Sequence, residues 1–445
     1  MISFVASIFL LILGYFVYGS IVDRAFGPNE DNKMPCVTRR DDVDYTPMPL
    51  WKVFLIQFLN IAGTGPIFGA ILGILYGPAA FVWIVFGSIF AGAVHDYMAG
   101  MISVRLDGAS LPDIVGSQMG RNMKVVMCVF ALVLLVLVGT VFTVTSADLM
   151  FHLTNDFSWS SQGMWLVVIA IYFILATVFP IDSIIGHLYP IFGFAMLVMA
   201  VGVLGGIFLQ PGSIPEVTDG IASCHPQGLP VFPMMCVTIA CGAISGFHAT
   251  QSPLMARCIK NECHGRKVFY GSMITEGIVA LIWAAAAIKF AGGYKELADM
   301  GTPAVVVNKI CSSWMGALGA ALAVLGVILA PITSGDTAFR SARLIVADFV
   351  KLNQAKVAKR ILLSIPLFAC AALLLYLDFS VLWRYFAWCN QTVACIMLWT
   401  AVLWLRRNGR NYWIALIPAL FMTAVSISYI LLAPEGLNLW ATLSH

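Results

Sequence analysis

Apolar residues along this chain come in long, nearly unbroken runs, not in the spaced stripe of a water-facing helix. Twelve runs approach the roughly 20 residues that a helix needs to cross a bilayer: 2–22, 51–76, 79–103, 124–149, 163–179, 187–209, 230–249, 268–291, 314–334, 361–377, 381–405 and 412–433. The fifth and tenth are short. Glycine and proline punctuate many of them, which membrane helices tolerate better than soluble ones. The pattern predicts an all-α membrane protein of about twelve transmembrane helices, a single polytopic domain over 1–445. Of the two longest polar stretches, 23–50 and 340–360, neither is long enough to fold alone. The second mixes Leu344, Ile345, Ala347, Phe349 and Val350 with charges, and it predicts a cytoplasmic interfacial helix.

Two runs are interrupted at membrane depth. The second contains Asn60, Gly63, Thr64, Gly65 and Pro66; the seventh contains Gly242, Ser245, Gly246, His248 and Gln251. Pro66 lacks an N–H and clashes with the preceding turn of an intact helix. Gly65, Gly69, Gly73 and Gly77 also form a small-residue stripe suited to close packing. Paired interruptions at matching places in two halves point to a transport site. These two lie five helices apart and run in opposite directions. They predict a 5+5 inverted repeat, helices 2–6 (51–209) and 7–11 (230–405), with helices 1 and 12 peripheral.

Composition and charge sharpen this picture. Hydrophobic residues make up 60% and charged residues 11% of the chain, against about 25% charged in soluble domains. With the N-terminus outside, 21 of the 25 Lys and Arg fall on the inside; only Lys289, Lys295, Lys309 and Arg384 fall outside. That asymmetry predicts both termini outside. Met1 to Ile21 has no basic n-region, so it reads as a retained helix. The net charge of +3 comes without a basic cluster for nucleic acid. The eleven cysteines contain no CxxC; Cys224 and Cys311, in separate polar loops, leave one disulfide conceivable. No P-loop, Ser–His–Asp or metalloprotease pattern is present, so the expectation is a transporter, not an enzyme, without a cofactor other than a bound cation.

The stretches NIAGTGPIFGAILG (60–73), GPAAFVWIVFGSIFAGAVHDYMAGMISVRLDGASLPDIVG (77–116), GAISGFHATQSPLMARCIKNE (242–262), APITSGDTAFRSAR (330–343) and DFSVLWRYFAWCNQT (378–392) resemble the carbon starvation protein A (CstA) family of bacterial transporters. The chain looks like a short member, lacking extra loops and helices of longer relatives. The resemblance implies a LeuT-type fold within the amino acid–polyamine–cation superfamily. It also implies a place in the bacterial inner membrane and uptake of pyruvate or small peptides, with protons as the coupling ion.

Candidate residues follow from position. His95 and Asp96 sit at membrane depth, where an ionisable group is a functional candidate by default. His248 lies at the seventh-run interruption and could bind a substrate carboxylate or relay a proton. Asn60, Gly63, Thr64, Gly65, Gly242, Ser245, Gly246, His248 and Gln251 are the expected substrate contacts. Thr333 and Ser334, after Pro331, suit a sodium ion by their oxygens. Asp336 is either a rival proton site or a partner for Arg340. Glu276 could pair with Lys267 or another polar partner; Arg384, Trp388, Asn390 and Gln391 could line a vestibule, and Trp383 and Trp388 could equally be interfacial belt residues. A channel and an intramembrane redox protein, the latter with a haem held by His95 and His248, are the alternatives from other classes; no other feature supports the haem.

Overall fold

The apolar runs fold as helices, and the computed structural model contains no strand among its described residues, which are 1–154, 157–178, 185–323, 329–354, 356–377, 379–433, 437 and 439. The main helices are α1 (Ile2–Phe26), α2 (Leu50–Ala62), α3 (Gly65–Tyr76), α4 (Ala79–Arg105), α5 (Arg121–Thr154), α6 (Gln162–Val178) and α7 (Ile185–Leu209). They continue as α8 (Gly246–Ala256), α9 (Glu262–Ala291), α10 (Pro303–Ala323), α11 (Leu329–Val350), α12 (Val357–Leu374), α13 (Phe379–Arg407) and α14 (Trp413–Leu432). Among the described residues, eight helices are long and apolar enough to cross a membrane, and α2 with α3, bent by 44° at their junction, makes a ninth.

Three of the twelve expected spans take another form. The fifth is a shorter apolar helix, Gln162–Thr177. The seventh is broken: helical turns over 231–238 give way to irregular backbone before α8 begins at Gly246. The ninth falls on the end of α10, kinked at Gly316 (φ 61°, ψ −145°), and the start of α11, with residues 324–328 outside the described ones.

The stretch 340–360 is likewise not one interfacial helix. Residues 340–350 are the second half of α11, the chain turns at Lys351 (φ 55°), and α12 starts at Val357. The physical reason is Asp44. Arg340 and Arg343 are wholly buried and share its carboxylate, at 3.0 Å and 3.3 Å, so charges that would hold a helix at the membrane surface are taken inside the protein. Cys224 and Cys311 are both free thiols, the first exposed and the second buried.

Helices α4 and α9 form the centre. In each, 83% of the apolar window is buried, against 22–33% in α1, α12 and α14. Both centre helices carry a π turn, Gly87–Gly92 in α4 and Arg266–Tyr270 in α9. Such turns free backbone groups and recur at functional sites. Here the Tyr270 hydroxyl of α9 donates to the Ile89 carbonyl of the α4 turn at 2.9 Å, so one irregularity satisfies the other.

Candidate functional site

The two interruptions meet each other. At the first, Gly63 takes φ 21° and ψ −143°, a conformation that side chains rarely adopt. Thr64 then stands just ahead of α3 without capping it, and Pro66 occupies its first turn, where a missing N–H costs nothing. The small-residue face of α3 packs on the second interruption: a Cβ on Gly65 would lie 2.4 Å from the Cys241 side chain, and one on Gly69 would lie 2.9 Å from the Thr238 carbonyl. Bilayer lipid cannot drive such contacts hydrophobically; close backbone approach does.

Backbone left free by the second interruption is satisfied by its neighbours, as membrane depth requires. From α4, Trp83 donates its indole N–H to Ile239 O (3.3 Å) and Ser88 its hydroxyl to Gly242 O (3.0 Å). From α13, the Asn390 side-chain carbonyl accepts from the Phe247 N–H (2.8 Å) and the Ser245 hydroxyl (3.0 Å), capping α8. The N-terminus of α8 is thereby occupied by a side chain of the protein itself. No side chain caps α3.

Where the interruptions face α4 and α9, four buried ionisable groups line up. His95 and Asp96 lie on α4, His248 on α8 and Glu276 on α9, all with no exposed surface. One oxygen of Asp96 is 2.8 Å from His95 Nδ1, the other 2.9 Å from His248 Nδ1, and His248 Nε2 is 3.6 Å from Glu276. A carboxylate that accepts from two imidazoles orients both rings. His95 and Asp96, neighbours on one helix, thus touch each other. Of the two partners expected for Glu276, Lys267 or another polar group, the structure places a polar one, His248, beside it.

Polar atoms without hydrogen-bond partners also occur on the helices that carry or pack on the interruptions, α2, α8, α11 and α13. Both side-chain atoms of Asn60 and of Gln391, Gln251 Oε1, Ser334 Oγ and Asn390 Nδ2 are buried and unpaired. Such atoms are rare in folded proteins and call for an explanation. Gln251 also donates to Thr250 Oγ1 (2.8 Å) and Ser341 Oγ (3.4 Å). Ser334 comes against the first interruption: a Cβ on Gly63 would lie 2.8 Å from its Oγ. Thr333 is buried one residue earlier, and Asp336 accepts a hydrogen bond from Tyr172 at 2.8 Å. Gly246 abuts the Asn390 carbonyl, where a Cβ would come within 2.1 Å, so this glycine serves the α8–α13 contact. Trp388 packs on Phe130 with ring centres 5.6 Å apart. The side chains of Trp383 and Arg384 lie outside the described residues.

A cavity of about 1030 Å³ opens at the other end of α3, between Leu72, Leu75, His225, Gln227, Tyr294 and Asp299. The interruption itself is closed: Asn60, Ser245 and Gln251 expose nothing. Sequence reasoning undervalued Asn390 as a cap and Glu276 as a partner of His248. The signal for both was a polar residue inside an apolar run, but which residue it meets is set by packing between distant segments.

Residues 1–161, 145–309 and 282–429 match the family described as carbon starvation protein CstA. An uncharacterized membrane protein of Haemophilus influenzae is 41% identical over 359 residues, 70% of this chain and 97% of that one. The peptide transporter CstA of Escherichia coli is 24% identical over an alignment covering 95% of this chain and 80% of its own length. The pyruvate/proton symporter BtsT of Escherichia coli is 27% identical over 64% of this chain, which spans only 48% of that protein.

Proposed function

The chain belongs to the carbon starvation protein CstA family, and on that premise we propose that it is a secondary active transporter taking up a small carboxylate such as pyruvate by proton symport. The observation that carries this is the meeting of two interrupted segments around buried, unpaired polar atoms, beside a carboxylate shared by two histidines. The fold we assign is a LeuT-type 5+5 inverted repeat, 51–209 and 230–405, in a bacterial inner membrane with both termini outside. The nearly complete sidedness of lysine and arginine supports this orientation. Labelling of a cysteine placed at Lys351 from the inside supports it, and labelling from the outside overturns it.

In this reading the substrate lies between the interruptions, against Asn60, Gly63, Thr64, Gly65, Gly242, Ser245, Gly246, His248 and Gln251. The first turn of α3 supplies uncapped N–H groups and the positive end of a helix dipole, which receive a carboxylate without arginine. Unpaired Asn60, on the last turn of α2, adds a donor at the same junction. Thr64→Val is expected to weaken substrate affinity by one hydrogen bond, about 0.5–1.5 kcal/mol. Competition binding in detergent measures this, and an unchanged affinity removes Thr64 from the site.

His95 and Asp96 carry the proton, with Asp336 as the rival site. Thr333 and Ser334 beside Gly63 are the place for sodium if sodium is the coupling ion. Peptide uptake is the second reading, favoured by the relative that is named a peptide transporter and aligns with 95% of this chain. Counterflow in proteoliposomes with labelled pyruvate, peptides and amino acids, with and without sodium and a pH gradient, separates these cases. Exchange of no carboxylate and no peptide overturns the carrier reading.

A further inference from the structure

Glu276 sits mid-helix in α9, wholly buried, and neither carboxylate oxygen has a hydrogen-bond partner. A buried carboxylate anion without donors or a cation is costly by several kcal/mol. No Lys or Arg pairs with it among the described residues. The titratable groups facing it are His248 Nε2 at 3.6 Å, Asp96 behind that ring, His95 behind Asp96, and the Cys241 thiol of the interruption. On the same helix, Gly277 packs closely on Ser88, and Ala280 packs on Gly242 of the second interruption.

His248 thus stands between two carboxylates, one on each ring nitrogen. The Asp96 contact is a hydrogen bond, whereas 3.6 Å to Glu276 is beyond hydrogen-bond reach. Nδ1 faces Asp96 and Nε2 faces Glu276, so a proton passed from Asp96 to Nδ1 of the Nε2–H tautomer makes a histidinium, and Nε2 is the ring atom from which a proton then passes to Glu276. The gap also lies between unlike elements. Helix α8 is a half-helix that starts at the interruption, and α9 is one of the two central helices. A tilt of α8 that shortens the gap by roughly 0.6–0.9 Å makes the hydrogen bond.

The geometry points to Glu276 as the proton-accepting end of a relay running from His95 through Asp96 and His248, with the His248–Glu276 gap closing and opening as the protein changes conformation. The inference rests on the proton-coupled reading above. The step balances: the N–H bond at His248 Nε2 breaks, its electron pair stays on nitrogen, and an O–H bond forms on Glu276. A histidinium and a carboxylate become a neutral imidazole and a carboxylic acid. The proton enters from water on the side of higher proton concentration, and no other reactant is needed. A neutral acid is also the form that a buried carboxyl with no hydrogen-bond partner adopts at least cost.

Infrared difference spectra of the purified full-length protein, between about pH 5 and pH 8 where imidazole changes charge, test this without knowledge of the substrate. A protonated-carboxyl band that titrates is expected in the natural protein, absent in Glu276→Gln, retained in Glu276→Asp, and moved to another pH in His248→Gln. A band unchanged in Glu276→Gln, or no titrating band at all, overturns the assignment. The two readings fail separately. If the band is not that of Glu276 but Asp96→Asn still abolishes pH-driven uptake of labelled pyruvate, only the relay terminus is wrong. If neither Asp96→Asn nor His248→Gln alters pH-driven uptake, proton coupling through this cluster is wrong as well.

Discussion

Replacing Asp96 by asparagine is expected to abolish concentrative uptake while leaving exchange of substrate across the membrane largely intact. Asn keeps the shape of the side chain but turns one carboxylate oxygen into a donor. It can no longer accept from both His95 Nδ1 and His248 Nδ1, which lie 2.8 Å and 2.9 Å from its two oxygens. Each hydrogen bond to a buried charge is worth about 1.5–3 kcal/mol, so the variant also loses the charge that stabilises a protonated ring. Without that charge, proton binding is uncoupled from the conformation of α8. Of the proposed substrate contacts only His248 touches Asp96, and the others are left in place, so labelled substrate is expected still to exchange. Accumulation in proteoliposomes with an imposed pH gradient should fall to the level of equilibration. Gradient-driven accumulation at the natural level in both Asp96→Asn and His95→Gln would falsify the coupling role of the pair. Asp336→Asn, measured in parallel, then becomes the test of the rival site.

How much of this was legible beforehand can be read from particular residues. Run length and the sidedness of lysine and arginine marked a multi-span helical protein, because bilayer thickness and backbone hydrogen bonding leave the chain few options. The interruption at Gly63–Pro66 was legible as well, since a proline after two glycines cannot continue a helix. The 340–360 segment was misread as an interfacial helix because hydropathy treats Arg340 and Arg343 as surface charges. Such residues can be carried inside when a distant partner meets them, and that partner, Asp44, lies almost 300 residues earlier in the chain. The same limit applies at the candidate site. His95, Asp96, His248 and Glu276 were each visible as ionisable groups at membrane depth, but the order in which they touch is fixed by α4, α8 and α9 packing around the second interruption.

Asp44→Ala is expected to destabilise the protein by roughly 3–5 kcal/mol, the usual cost of removing one member of a buried ion pair. Arg340 exposes no surface, nor does Arg343, and Asp44 exposes 3%. Arg340 Nη1 lies 3.0 Å from its carboxylate, and Arg343 Nη2 lies 3.3–3.4 Å from both oxygens. Deleting the carboxylate leaves two guanidinium groups facing each other without the anion between them. Burial pushes the Asp44 carboxyl up, but Arg343, Arg340 and Arg257 outweigh it and hold it down at about 2. Asp44 therefore ionises more readily in the fold than in the unfolded chain. Its stabilising effect is complete above about pH 4 and is lost as pH falls through about 2. Thermal unfolding in detergent at neutral pH should show a lower midpoint for Asp44→Ala, and a triple variant with Arg340→Met and Arg343→Met should recover much of the loss, because apolar residues of similar volume replace the charges. If Asp44→Ala unfolds within about 0.5 kcal/mol of the natural protein, the range of an ordinary surface substitution, then water reaches the two arginines and the loop before α2 does not lock α11 in place.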